Sequence, residues 1–521
     1  MKRPVLWFLL VLLLLPLVAC SLSAGSVPPA GPITGAPPAA PTTEVPAAGS
    51  TERLVLLYTN DVHGQVEPVS GRSGGLVNLV SLIDQVREED PEHTILLDAG
   101  DALQGTYASN SAQGAVMIQA MNLAGYDAWT LGNHEFDFGQ DALLARIAQA
   151  NFATLAANLY DEATGRLWNV EPYTILQAGA ARVAVVGLAY PNTPDITKPE
   201  NVEGLDFRRA EETLRSLLPE VLQETTLVVV LSHLGIDGDR ALAQAVDGID
   251  VIVGGHSHLA LTGPEVVDGT LIVSAGSKGQ SLGRLELEVE PGTGEVTGYS
   301  RGSLLLAVNA DVSPVNEEAQ ALVDAALAEV AATKDQPIGQ TARALQPARE
   351  GEFALGNLVV DGMREVGVGD GAAVDVAFHN NAGIRASLPK GTITYGQLYN
   401  VLPFDNQLIA MDLTGAQILR ILEHSVTDRA GSLQVSGLSF RFDYSDPIGQ
   451  RVREVTIGEE PLDRQRTYRV VTIDYLAYGG DGLKTFLDGT NLAYGDGEVW
   501  AVAEYIRAHS PVDPRVEGRI R

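Results

Sequence analysis

Residues 54–64 read Leu-Val-Leu-Leu-Tyr-Thr-Asn-Asp-Val-His-Gly, an apolar run of strand character that stops abruptly at an aspartate and a histidine. The pattern recurs four times. Residues 94–97 run into Asp98-Ala99-Gly100-Asp101, and residues 128–131 into Gly132-Asn133-His134-Glu135-Phe136-Asp137. Residues 226–231 end in Ser232-His233, and residues 251–253 in Gly254-Gly255-His256-Ser257-His258. Short continuous apolar runs mark buried strands, and in α/β folds ligands gather beyond the carboxyl ends of such strands. The expectation is that five strands of one sheet deliver Asp61, His63, Asp101, Asn133, His233, His256 and His258 to one rim. Five of the nine histidines lie at these strand ends, which chance explains poorly.

The donors mix carboxylate, amide and imidazole, with no thiolate. That set suits Zn, Mn, Fe, Co or Mg and argues against copper(I) or iron–sulfur chemistry. Seven donors are too many for one tetrahedral ion. They suit two ions about 3.5–4 Å apart bridged by a carboxylate, the arrangement that clamps attacking and leaving oxygens in phosphoryl displacement. Asp101, alone in its loop, is the candidate bridge. His134 and Asp137 are three apart, so on a helical turn they share a face. An aspartate on one ring nitrogen fixes the tautomer and supports the imidazolium form, which stabilises charge on a phosphoryl group or a leaving oxygen. Asp137 also reads as a cap for the helical stretch 140–149, and Asp98 as a structural residue.

Taken together and in this order, the five motifs resemble those of the 5′-nucleotidase and UDP-sugar hydrolase branch of the calcineurin-like metallophosphatases. The resemblance implies that one ion takes Asp61, His63, Asp101 and His258, and the other Asp101, Asn133, His233 and His256. It implies equally that His134 is catalytic rather than a ligand, with Asp137 orienting it.

The second half carries four more segments of interest: residues 349–358, 380–385, 402–406 and 475–482. All four resemble the C-terminal nucleotide-binding domain of the same family. The resemblance implies that Phe404 and Tyr475 sandwich the base, that Asp481 and Asn406 hydrogen-bond ribose or base, and that Arg349 and Arg385 bind phosphate. Flat aromatic faces stack on any nucleobase, at about 1–3 kcal/mol per stack in single-strand binders, and an arginine fork matches phosphate oxygens. Taken singly, Phe404 and Tyr475 read as core residues; Tyr475 stands where close relatives commonly have Phe. His379 and His424 read as structural.

The N-terminus is separable. Met1-Lys2-Arg3 is basic, residues 5–18 are apolar, and Leu17-Val18-Ala19-Cys20 reads as a cleavage site followed by cysteine. This resembles a bacterial lipobox with Cys20 as the lipidated first mature residue. Cys20 is the only cysteine, so no disulfide forms within the chain. The alternative is an uncleaved membrane helix, but about fourteen apolar residues are short for a span. Residues 21–51 are rich in Pro, Ala, Gly, Ser and Thr and read as a spacer. The net charge of −31 excludes a broad nucleic-acid-binding surface. It does not exclude a small anionic substrate, whose local field two divalent ions dominate.

The expected architecture is α/β: a signal peptide (1–20), a linker (21–51), a layered metallophosphatase sandwich (52–310), a connector helix (311–336) and a nucleotide-binding domain (337–521). Some hinge motion is expected near residues 310–340, because the substrate bridges two domains. The expected function is that of an extracytoplasmic hydrolase in nucleotide catabolism. It cleaves 5′-nucleotides to nucleosides by metal-activated water attack with two divalent ions (Zn, Mn, Co or Mg). The lipid on Cys20 anchors it at the outer face of the bacterial cytoplasmic membrane, and no protein partner or nucleic acid polymer is implied. Alternatives on this scaffold are a nucleotide-sugar or dinucleotide pyrophosphatase and a 2′,3′-cyclic-nucleotide phosphodiesterase with 3′-nucleotidase activity. A non-catalytic surface nucleotide-binding lipoprotein is the reading from another class.

Overall fold

A computed structural model describes residues 51–521, apart from 70–72, 292, 300–303, 369–372, 405 and 428–432. The signal peptide, Cys20 and the spacer up to residue 50 lie outside the described residues.

The strands of the N-terminal body that position the site are β1 (Glu52–Thr59), β2 (Thr94–Asp98), β3 (Ala128–Thr130), β4 (Ala153–Leu155), β5 (Tyr173–Ala178), β6 (Ala181–Leu188), β7 (Leu227–Ser232), β8 (Val251–Gly254), β9 (Thr270–Val273) and β10 (Ser281–Val289). They form two sheets. One runs β10-β1-β2-β3-β4, with Val296–Tyr299 and Leu304–Ala307 both paired to β10. The other runs β9-β8-β7-β6-β5, with Glu265–Val267 outside β9. Within the first, β1 through β4 are parallel; within the second, β6 through β9 are.

This corrects the expectation that all five ligand-bearing strands share one sheet. β1, β2 and β3 lie in one, β7 and β8 in the other. The ligand-bearing strands are buried on both faces in either sheet, so they read alike as unbroken apolar runs. The hairpin β5–β6 starts the second sheet, and β7 joins it through Val183–Leu188 paired with Leu227–Ser232.

Alternation along each strand explains the layers. Leu54, Leu56 and Tyr58 of β1 face inward and meet Val183, Val185, Val229 and Leu231 of the other sheet. Val55 and Leu57 face outward, into a cluster with Leu79 and Ile83 of helix Leu76–Glu89 and Met117 of helix Ala115–Ala124. On the far side Val186, Val228 and Val230 pack on Leu214 and Leu218 of helix Ala210–Glu224 and Leu242 of helix Ile236–Ala245. The order is helix, sheet, sheet, helix. Each fully buried Val or Leu contributes about 1.5–3 kcal/mol, so the sandwich is a stiff base for the loops at its rim.

Helix Glu317–Lys334, at the expected connector, is fastened to this body. Its cap Asn316 accepts from Ala319 N–H at 2.8 Å and donates to Asp84 at 2.7 Å, Ala319 and Val323 join the N-terminal core, and Lys334 pairs with Glu67. The chain then enters the C-terminal body through Pro337–Thr341, paired with Gly391–Thr394. That body is a five-stranded mixed sheet of β11 (Val376–Asn380), β12 (Gln407–Thr414), β13 (Leu433–Ser436), β14 (Thr467–Ile473) and β15 (Thr490–Gly497), ordered β13-β11-β14-β12-β15. Helices Ala354–Val366 and Glu498–His509 share its core through Leu358, Val359, Val502 and Ile506.

Candidate metal and substrate site

The loops after β1 and β2 lie side by side. Asp61 N–H donates to Gly100 O and His63 N–H to Asp101 O, both at 2.9 Å. Five of the seven expected ligands have left-handed backbone: Asp61 (φ 51°), His63 (50°), Asp101 (56°), His256 (69°) and His258 (55°). Such conformations cost about 1–3 kcal/mol each and persist where surroundings over-determine them. Gly132 shows why the loop after β3 begins as it does: a Cβ there would sit 2.2 Å from Asp101 Oδ1.

The donors converge. The ligand atoms of Asp61, His63 and His258 lie within 4.8 Å of one another, as do those of Asp101, His233 and His256. His63 Nε2 is 2.9 Å from His258 Nε2 and 3.9 Å from Asp101 Oδ2, joining the two groups. Asn133 Oδ1 lies 3.0 Å from His256 Nδ1. His233 Nδ1 donates to Ala99 O at 2.6 Å, which leaves Nε2 as the lone-pair atom. That Nε2 is buried 3.1 Å from Asp101 Oδ2 without hydrogen-bond geometry to any partner. An orphaned imidazole nitrogen among carboxylates fits a divalent ion.

The electrostatics say the same. Burial, reinforced by neighbouring cations, holds His63 well below its usual value, His256 at about 4 and His258 at about 3, so all three are neutral and able to ligate. Burial alone would also depress His233, but Asp101 and Asp61 push it up to about 10. Burial raises Asp61 to about 7. Asp101 and Asp61 thus favour positive charge beside His233, the place where an ion would put its own.

His134 differs from the donors. Its Nδ1 is bonded to Asp137 Oδ2 at 2.7 Å, on the 3₁₀ turn His134–Phe136, and helix Gln140–Gln149 is capped by Gly139 rather than Asp137. Its backbone N–H donates to Asp101 Oδ1 at 2.9 Å, which ties the dyad to the candidate bridge.

A cavity of about 340 Å³ opens over this cluster. Asp101, Asn133, His134, Asp137, His256 and His258 line it from the N-terminal body, and Arg349, Arg385, Phe404, Asn406, Tyr475 and Asp481 from the C-terminal body. Phe404 stacks on His134 with centroids 5.5 Å apart and planes at 29°. Arg385 Nη2 is 3.3 Å from His63 Nε2, and its guanidinium lies 5.6 Å from the Phe404 ring. Tyr475 donates its hydroxyl to Asp481 Oδ1 at 2.7 Å. Asn406 donates to the buried Glu498 at 2.8 Å, and Glu498 also holds His379. His424 Nε2 lies 3.1 Å from the Asp481 carbonyl. All six expected substrate residues therefore reach one cavity, though Asn406 and Asp481 already have partners there.

Residues 54–260 match the calcineurin-like phosphoesterase family, and residues 329–488 the 5′-nucleotidase C-terminal domain. The 5′-nucleotidase of Bos taurus is 33% identical over 90% of this chain and 90% of its own length. This chain belongs to the 5′-nucleotidase family of calcineurin-like phosphoesterases. A trifunctional nucleotide phosphoesterase of Bacillus subtilis (strain 168) is 32% identical over 90% of this chain, which spans only 35% of that protein. The crystal structure of a 5′-nucleotidase precursor from Thermus thermophilus superposes with a TM-score of 0.81 at 34% identity, covering 90% of this chain and 99% of the other. Like the rest of the family, this chain is a phosphoesterase that uses a dinuclear divalent metal centre.

Sequence reasoning missed several residues of this site. Glu135, fully buried, accepts four backbone N–H groups: Asp101 and Ala102 at 2.8 Å, Leu103 at 3.2 Å and Gly132 at 2.7 Å. It clamps two ligand loops together. A carboxylate inside an otherwise ligand-rich motif was the available signal. Asp98, read from the sequence as structural, does related work, accepting from Thr59 Oγ1 at 2.6 Å and Gly100 N–H at 2.9 Å, with burial pushing it up to about 8. Tyr190 stacks on His256 at 4.3 Å. Gln104 and Asn110 both donate to Pro403 O, at 2.9 and 2.7 Å, tying the β2 loop to the Phe404 loop. Asn380 donates to Asp481 at 2.8 Å. Nothing local in the sequence marks Tyr190, Gln104 or Asn110, whereas Asn380 opens the segment 380–385 already singled out.

Proposed function

We propose that this enzyme removes phosphate from 5′-nucleotides to give nucleosides. Asp61, His63, Asp101 and His258 would hold one ion, and Asp101, Asn133, His233 and His256 the other. The observation that carries this reading is the single cavity shared by the metal donors, the His134–Asp137 dyad and the Phe404–Tyr475 aromatic pair. When bound, the two ions supply Lewis acidity that acidifies water and neutralises phosphoryl charge.

The residues of the chain do the rest. With Nδ1 bonded to Asp137 and its pKa raised, His134 in its imidazolium form carries an Nε2–H that stabilises charge on the phosphoryl or leaving oxygen. Arg349 and Arg385 line the same cavity, where guanidinium forks match phosphate oxygens. The bond from Tyr475 to Asp481 fixes the tyrosine ring, which favours stacking by reducing what binding must order. Phe404 sits against His134, so a base stacked there keeps its phosphate beside the donors.

Export and a lipid on Cys20 belong to the same proposal. Their support is the basic-then-apolar N-terminus and the single cysteine at its end. Among the described residues no helix is long and apolar enough to cross a membrane. Mass spectrometry of the membrane fraction, with Cys20→Ser as control, tests it: an unmodified N-terminal peptide refutes lipidation.

Activity is tested on residues 50–521, stripped by chelator and given Mn, Zn, Co or Mg, with AMP, UDP-glucose, a 2′,3′-cyclic nucleotide and p-nitrophenyl phosphate. Metal-dependent phosphate release from AMP, lost in His134→Ala, is the expected result. Turnover of only the sugar or cyclic nucleotide moves the substrate. Silence on every substrate leaves a binding protein.

A further inference from the structure

Residues 193–202 form a short bridge over the cavity, with helix Thr193–Ile196 and the 3₁₀ turn Pro199–Val202. Ile196, Thr197, Lys198 and Asn201 line the cavity wall. The bridge touches both halves of the site. On one side Thr197 Oγ1 lies 3.4 Å from Asp137 Oδ1, and Asn201 Nδ2 donates to Asp137 O at 3.1 Å. On the other, Lys198 Nζ is 2.9 Å from Asp474 Oδ2. Asp474 opens the turn Asp474–Ala477 and its Oδ1 accepts the Tyr475 N–H at 2.8 Å.

We infer that the Lys198–Asp474 pair is a positioning device for the nucleoside: it holds the Tyr475 turn against the segment that braces the catalytic dyad. The plain alternative is an ordinary surface ion pair, and most of those contribute little. This pair is placed otherwise. Its side chains are only 25% and 10% exposed, it spans residues 276 apart in sequence (474 − 198), and one partner lines the cavity while the other adjoins the stacking residue. Neither group reaches the donor cluster, so the pair acts on nucleoside binding and not on chemistry at phosphorus. The inference rests on the nucleotide reading proposed above.

The test is Asp474→Asn in the metal-loaded enzyme, with AMP and p-nitrophenyl phosphate as paired substrates. The amide keeps an oxygen for the Tyr475 N–H and removes only the charge. The expected result is a rise in KM for AMP of about fivefold, with kcat within about twofold and p-nitrophenyl phosphate turnover unchanged. Lys198→Met is expected to match it, and Lys198→Arg to retain the wild-type KM. Equal losses on both substrates, or no change for AMP, in an enzyme that prefers AMP would overturn this inference alone. A wild-type enzyme that does not prefer AMP would overturn it together with the nucleotide reading.

Discussion

His134 Nδ1 lies 2.7 Å from Asp137 Oδ2, and the other working surface of the same ring is stacked beneath Phe404. Burial pulls the imidazole pKa down, but Asp101 and Asp137 outweigh it and the net shift is upward. The protonated form therefore persists above the pH at which a free histidine would lose it. His134→Ala is expected to lower kcat by about 10²- to 10⁴-fold while both ions remain bound, as elemental analysis would read. Asp137→Asn removes one of the groups that raise the pKa. The proton then leaves at lower pH, and the alkaline limb of the kcat–pH profile moves to lower pH. An unmoved limb would show that the dyad does not titrate in catalysis.

Five expected ligands sit in left-handed conformations, strain that a bound metal would help to hold. An ion at 100 times its Kd adds about 2.7 kcal/mol of stability. Chelation is expected to lower Tm and divalent metal to restore it. A calorimetric Tm indifferent to chelator would separate the loop strain from metal binding.

Gly132→Ala places a methyl group 2.2 Å from Asp101 Oδ1, against an oxygen that also accepts the His134 N–H. Overpacking of this kind costs about 1–3 kcal/mol. The expected readout is weaker metal binding by titration together with reduced stability in denaturant. Normal metal affinity in this variant would mean that Asp101 can move without consequence.

Asp239 is buried beneath the second sheet, accepts from Ser232 Oγ, and is raised by burial to about 7. Between its ordinary value of 3.8 and about 7 the folded state holds a proton that the unfolded chain has released. Stability from this group therefore falls as pH rises through that window and is flat above it. Asp239→Asn cannot titrate, so its stability should decline less than the wild type's over the same window. Parallel urea-denaturation series at several pH values check the slope.

The donors were legible because each signal is local. A strand buried on both faces must read as an apolar run, and a ligand at its end must break that run within a residue or two, as Tyr58-Thr59-Asn60-Asp61 does. The C-terminal residues Phe404 and Tyr475 were less so, since an aromatic in a loop reads equally as core. The resemblance of the surrounding motifs singles them out, and the shared cavity brings both beside the dyad. The division of five strands between two sheets was not legible, because burial on both faces removes the alternation that would have told one sheet from another.

Sequence alone sets the donor types, their order along the chain and their places at strand ends, because ligand chemistry and strand burial are properties of short stretches. Three contacts emerge only from the packed molecule: two facing sheets bring Asp101 within 3.1 Å of His233, Glu135 clamps two ligand loops, and Lys198 meets Asp474. Those contacts join elements far apart in the chain, and which of them form is set by how whole layers pack, a choice that no local spacing records.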